Sequence, residues 1–371
     1  TDIRVELGEG NMQRYALPAP REDPREIARI LFSLLELAPK NKALGVSLFC
    51  CVIRAVFGEC LPTDFTLFLS GKSGSQKSEC AALALGCFGK FNARNFPANF
   101  TDTDSDLEYK AHQAKDSVFV IDDYVPGINL IEANKTRCKG ANIIRGAGNQ
   151  AGRGRRNTDM SGKSAYFSRG MNIITGEDST AGSSLIARQL IIEIKQGDVN
   201  LSFLTALQLN SSRGELAACM ATFIKWLAPK MDELKKTYPE QVRDTRDKAL
   251  QEKFVSSHAR AGDIYASLYT AANIYIDYAV EVGAIGDIRA NDLAEMIENS
   301  LKDAVRAQCA FQMQSDEVER FLDLVRAGFS SGECHVCDVY KQGPPLQSPH
   351  VWGWHSPTED ADPVGCGQLI G

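Results

Sequence analysis

The chain has 371 residues, 44% hydrophobic and 24% charged, with a net charge of −6. That length supports two to three domains, and the composition excludes a disordered, collagen-like or coiled-coil protein. No apolar run reaches the roughly 18 residues of a membrane helix, so no membrane association is expected, and the overall acidity excludes a uniformly basic nucleic-acid coat. The 11 cysteines, an odd count scattered from Cys50 to Cys366, suit reduced thiols and a cytoplasmic location rather than a disulfide framework. Thr1-Asp2-Ile3-Arg4 opens no basic-then-apolar secretory segment. The absence of an obvious cap at Gln368–Gly371 fits a cut boundary.

In chain order, residues 1–20 are expected to form an extended arm. Ile27, Ile30, Leu31, Leu34 and Leu35 recur at helical spacing. A second helix is predicted from Asn41 to Phe57, ended by Gly58 and Pro62. The pattern then alternates: a strand at 64–70, a Gly/Ser loop at 71–76 and a helix at 77–88. A helix at 105–114 and a strand at 117–122 follow, then a polar insert, a strand at 170–175, a short helix at 182–188 and a strand at 189–194. Such alternation predicts an α/β layer with a mostly parallel sheet. Beyond residue 198 only helices are expected, at about 200–235, 240–254, 257–283, 289–313 and 315–328. The Pro- and Gly-containing tail is expected to be irregular or a small β module. The implied domains are 1–62, 63–197 with an insert at 134–170, 198–330 and 331–371.

The motif that carries the chemistry is Gly71-Lys72-Ser73-Gly74-Ser75-Gln76-Lys77-Ser78, between a strand and a helix. It follows the phosphate-loop pattern of Gly, four residues, Gly, Lys, Ser/Thr, with Gln76 in place of the second Gly. The N–H groups of Gly71, Ser73, Gly74, Ser75 and Gln76 are expected to cradle a phosphate. Lys77 would reach the β/γ-phosphates of ATP, and Ser78 would bind Mg²⁺. Gln76 needs no strain if it takes ordinary helical angles. A Gly/Ser turn with exposed lysines is the plain alternative.

Downstream, Ser117-Val-Phe-Val-Ile-Asp122-Asp123 places two carboxylates at a strand tip, the edge where open α/β sheets bind ligands. Asp122 is expected to hold Mg²⁺ and Asp123 to polarise the attacking water, although adjacent acids also cap turns. Thr175, or else Asn172, could meet the γ-phosphate or the water from the next strand. Arg188 is expected on the flank of the nucleotide site, pointing in a ring into the neighbour's site, where a guanidinium neutralises developing charge.

Residues 134–170 hold nine basic residues against one acid, Asp159. The Gly-rich stretch with Arg145, Arg153, Arg155, Arg156 and Lys163 suits contact with phosphate backbones without base reading. A basic loop without a partner is the plain alternative. Weaker signals are Cys334-His335-Val336-Cys337 with His350, His355 and Cys366 as loose zinc ligands, and Arg260 as a phosphate sensor. Cys50-Cys51 and the tyrosines 265, 269, 275 and 278 are read as packing.

The runs 69–84, 114–126, 145–155 and Thr175-Gly-Glu-Asp178 together resemble the ATPase part of primase–helicase replication proteins of mobile elements and prophages. The resemblance covers about residues 20–330. It implies an AAA+- or superfamily-3-like P-loop NTPase core with flanking helical N- and C-terminal regions. It further implies ATP and Mg²⁺ as cofactors, single-stranded DNA as partner, a homo-oligomeric ring with a hexamer favoured, and a primase or other replication protein nearby. By the same resemblance Lys77, Ser78, Asp122 and Asp123 take the nucleotide roles, Arg188 acts in trans, and the basic insert lines the central pore. Priming itself is not assigned to this chain. An ATP-binding switch or scaffold with weak hydrolysis, suggested by Gln76, and a small-molecule phosphotransferase are the other functions weighed.

Overall fold

The computed structural model describes residues 8–354 except 128, 153–154, 157–161, 164, 178–181, 253, 255–258, 315–316, 332–333, 339–342 and 346. The helices are α1 (Pro24–Phe32), α2 (Lys42–Ala55), α3 (Lys77–Gly86), α4 (Asp104–Gln113), α5 (Leu130–Asn149), α6 (Ser183–Ile186), α7 (Leu201–Ser212), α8 (Glu215–Leu227), α9 (Met231–Gln251), α10 (Ala259–Glu281), α11 (Asp287–Gln314) and α12 (Glu317–Ser331). The strands are β1 (Thr66–Ser70), β2 (Ala98–Asn99), β3 (Val118–Tyr124), β4 (Arg155–Arg156), β5 (Gly162–Lys163), β6 (Met171–Gly176) and β7 (Gln189–Glu193).

Five strands pair in the order β2-β3-β6-β1-β7, all parallel. Successive side chains of a strand point to opposite faces, and both faces here are apolar. Leu67, Leu69, Val118, Val120, Met171 and Ile173 enter a core shared with α1–α3 and α7–α11. Phe68, Phe119, Ile121 and Ile174 enter a second core with Leu107 and Ala111 of α4 and Ile143 and Ile144 of α5. Burial on both faces is what a parallel sheet with crossover helices requires. The larger core runs without a break from Ile27 to Cys309, across the borders expected near 62 and 198.

Residues 1–310 form one compact unit and residues 311–371 a second. In the second unit the Trp354 indole donates to the Val336 carbonyl at 2.9 Å, and His335 meets the Trp354 ring edge-on. Among the described residues no three His, Cys, Asp or Glu side chains gather as a metal site, and all ten cysteines are free. His355 and Cys366 lie outside the described residues. Among those residues, too, no helix is long and apolar enough to cross a membrane.

Four local expectations are corrected. The N-terminal arm is not simply extended: Gly10–Arg14 form a 3-10 turn that buries Met12, and the Tyr15 hydroxyl donates to the Val118 carbonyl at 2.8 Å. The helix expected at 200–235 is broken at Gly214, which takes a left-handed φ of 76°. Helix α9 continues through Pro239, since Tyr238 is buried and stacks on Phe57 with centroids 4.8 Å apart. The polar insert is not a loop throughout: its first half lies in the 20-residue helix α5, and β4 and β5 pair antiparallel.

Candidate nucleotide site

The phosphate loop leaves the C-terminal end of β1. A Cβ at Gly71 would lie 2.5 Å from Ser75 Oγ and 2.6 Å from the Ile194 carbonyl, so only glycine fits this close approach. Gly74 takes φ 83°, and the Ser75 N–H closes the turn on the Lys72 carbonyl at 3.1 Å. Helix α3 then begins with no side chain capping it. Its first-turn N–H groups are therefore left facing the loop, with the positive end of the helix dipole behind them.

Gln76 does not take helical angles. Its φ of 69° and ψ of 16° are left-handed, the conformation the glycine of the usual pattern allows at little cost. A non-glycine residue there costs about 1–2 kcal/mol. The Gln76 side-chain amide donates back to the Gly74 carbonyl at 3.3 Å. Replacing Gln76 by Gly is expected to stabilise the fold by up to about 1 kcal/mol, the relief of strain being partly offset by glycine's chain entropy. Chemical denaturation of the two proteins measures this, and a destabilised Gln76→Gly protein contradicts it.

Asp122 reaches the loop–helix junction at a break in the sheet. The β3–β6 register shifts between Ile121 and Tyr124, with Asp123 at φ 66°. Asp122 and Asp123 therefore drop out of the ladder with β6. Asp122 is half-buried and Asp123 exposed. Ser78 Oγ donates to Asp122 Oδ1 at 2.9 Å, and Thr175 Oγ1 donates to the same oxygen at 2.5 Å. Thr175 is fully buried and also accepts the Asp123 N–H at 3.1 Å. Its hydroxyl, expected to meet phosphate or water, is thus occupied in fixing both acids. Among the described residues no basic side chain pairs with Asp122, and no acid pairs with Lys77. A half-buried carboxylate joined to a serine hydroxyl, without a counter-cation, is a hard-oxygen donor set that fits Mg²⁺.

Asn99 was not singled out from the sequence, yet β2 pairs it directly with Asp122. Two residues of strand carry no periodic signal. Asn172 lies at the opposite end of β6, where its Oδ1 accepts from Ser168 Oγ at 2.7 Å.

One solved structure matches the fold over most of this chain. The chain resembles the one described as SCCmec type IV Cch, active helicase, at 16% identity with a TM-score of 0.59. The match covers 90% of this chain and 62% of that one, so this chain spans less than two thirds of the helicase's length. This chain shares that structure's fold, an α/β layer with a parallel sheet and the Gly71–Ser78 loop at its C-terminal edge. Weaker likenesses are to a JCV helicase (11% identity, TM-score 0.32, 59% of this chain and 63% of that one) and to an NrS-1 C-terminal region (13%, 0.32, 80% and 68%). No family model matches the sequence, and no curated protein does.

Within this fold Arg188 does not flank its own chain's phosphate loop. It directly precedes β7, whose first residue pairs with Thr66 at the start of β1, whereas the loop follows Ser70 at the other end. A five-residue strand puts roughly 16 Å between those ends. Its guanidinium donates to the Ser184 carbonyl at 2.7 Å, to Ser184 Oγ at 2.8 Å and to Asn149 Oδ1 at 3.0 Å.

The basic residues of the insert are dispersed. Arg145 is exposed on α5, and Arg155 pairs with Lys163 in register across the hairpin. Arg153 lies outside the described residues. Two cations serve the fold instead: Lys139 is buried and donates to the Phe100 carbonyl at 2.7 Å and to the Asp102 carbonyl, and Arg169 Nε donates to the His112 carbonyl at 2.6 Å.

Proposed function

We propose that the chain is an ATP-hydrolysing motor that moves DNA as a ring, with ATP and Mg²⁺ at the phosphate loop. The observation that carries this reading is the convergence of Ser78, Asp122 and Thr175 beneath the uncapped start of α3. In it Lys77 and the loop N–H groups bind the phosphates, Ser78 and Asp122 hold the metal, and Asp123 orients the attacking water. Thr175 is a positioning residue that acts through both acids. Bound Mg²⁺ neutralises charge on the β- and γ-phosphates. Arg188 serves the site of the neighbouring copy. Arg155, Arg156 and Lys163 of the β4–β5 pair, with Arg153 two residues earlier in the sequence, contact the phosphate backbone of single-stranded DNA in the pore of a hexamer, with Arg145 on the preceding helix. A replication protein such as a primase would act beside it.

The test is ATP turnover with and without single-stranded DNA. DNA is expected to stimulate hydrolysis. The triple variant Arg153/Arg155/Arg156→Ala should bind DNA more weakly and with a shallower salt dependence by about three phosphates. No stimulation in the native chain, with DNA affinity unchanged in the variant, overturns the motor reading. A second reading, an ATP-binding switch with weak hydrolysis, is favoured by the left-handed Gln76. It expects tight ATP binding with negligible turnover.

A further inference from the structure

The root of the basic segment carries an aromatic group that the nucleotide site does not use. Residues 151–152 leave the end of α5, and residues 165–168 return toward β6. The two stretches lie against each other: a Cβ at Gly152 would strike the Tyr166 carbonyl, so only glycine fits there. Gly152 and Tyr166 thus close a neck, three residues before β4 and three after β5.

Helix α4 packs against this neck. Tyr109 and His112 stand three residues apart, the spacing that puts two side chains on one helix face. The Tyr109 ring meets Tyr166 edge-to-face with centroids 5.2 Å apart. His112 meets Tyr166 at 5.2 Å and Phe167 at 5.6 Å. Polar contacts fix the group further. Gln113 Nε2 donates to the Tyr109 hydroxyl at 2.9 Å, and His112 Nδ1–H donates to the Phe167 carbonyl at 3.1 Å. Tyr109 is nonetheless 40% exposed. A ring already held by its neighbours and still open to solvent loses little freedom when a planar partner stacks on it.

The charge around the neck narrows the choice of partner. Residues 134–170 carry nine basic residues against one acid. The acids of α4 are not free charges, since Asp106 pairs with Lys110 at 2.6 Å and Asp104 and Glu108 also have interactions within the chain. Basic charge alone suits any polyanion. An exposed, pre-fixed ring beside it singles out a polyanion with planar faces, which is a nucleic acid with its bases unpaired.

We propose that Tyr109, backed by Tyr166, is a stacking platform for a base of single-stranded DNA at the neck of the basic segment. The proposal rests on the DNA-binding reading above and deepens it, adding a grip on the bases to the grip on phosphates. Every base has a π face, so this grip brings no sequence preference.

The test compares two DNA strands of equal length, one of thymidines and one with abasic sites throughout, on the full chain. The abasic strand keeps the phosphates and loses the bases. The native chain should bind the thymidine strand about tenfold or more tightly than the abasic one. The Tyr109→Leu and Tyr166→Leu variants should lose most of that difference, while Tyr109→Phe, which keeps the ring, should retain it. Binding of the thymidine strand to Tyr109→Leu should keep the native salt dependence, because no phosphate contact is removed. Equal native affinity for both strands, or an undiminished difference in both Leu variants, overturns the platform and leaves DNA binding standing. A native chain that binds neither strand overturns the DNA reading, and the platform falls with it.

Discussion

Replacing Lys77 by Ala is expected to remove measurable Mg–ATP binding and to lower turnover by at least about a thousandfold. Lys77 is the first residue of α3, half-buried, and among the described residues its side chain makes no ion pair or hydrogen bond. Its ammonium is thus a point charge at the start of α3 with no partner among the described residues. Interactions of this kind, aimed at phosphate charge and fixed before the reaction, supply most of the catalysis in phosphoryl transfer. The same lack of internal partners predicts almost no change in stability, since surface substitutions outside a contact network usually stay within about 0.5 kcal/mol. Calorimetric titration with Mg–ATP, paired with thermal unfolding, checks both halves. Retained affinity in a folded Lys77→Ala protein means that the loop does not grip a triphosphate.

What was legible in the sequence depended on how local the causing physics is. Strands β1, β3, β6 and β7 are short apolar runs between helices, and each was found within a residue or two, as was the loop-to-helix junction at Lys77. The order of the strands was not legible. Inserting β6 between β1 and β3 depends on pairings about a hundred residues apart in sequence, such as Thr66 with Asn172. Without that insertion Thr175 would not reach Asp122.

Helix α5 was missed for a different reason. Gly140, Gly146 and Gly148 look like helix breakers, each about 1 kcal/mol worse than Ala. In the fold two of them permit contact instead: a Cβ at Gly140 would lie 2.8 Å from the Tyr124 ring, and one at Gly148 would strike Arg188. Burial of Ile143, Ile144 and Ala147 on the same helix outweighs the propensity cost. The strain at Gln76 was likewise invisible. Helical angles would have left Gln76 without strain, and nothing in the residue type signals the left-handed ones it takes.

The two acids at the tip of β3 are expected to fail in different ways, and that difference is the sharpest check on their roles. Asp122→Asn keeps the shape but removes the charge from an oxygen that receives both Ser78 and Thr175 hydroxyls. It should abolish the magnesium dependence of nucleotide binding along with turnover, because an amide oxygen is a poor substitute for a carboxylate toward a hard dication. Asp123→Asn should behave otherwise. Asp123 is exposed and sits at φ 66°, a conformation Asn tolerates as well as Asp, so the backbone is preserved. Affinity for Mg–ATP should stay unchanged while kcat falls by about 10²–10⁴-fold, the usual worth of a positioned general base. Binding titrations with and without magnesium, set beside steady-state turnover, separate the two. If both variants lose metal-dependent binding equally, Asp123 is a metal ligand and the attacking water must be oriented from elsewhere, with Asn99, paired beside Asp122, the nearest polar side chain on the adjoining strand.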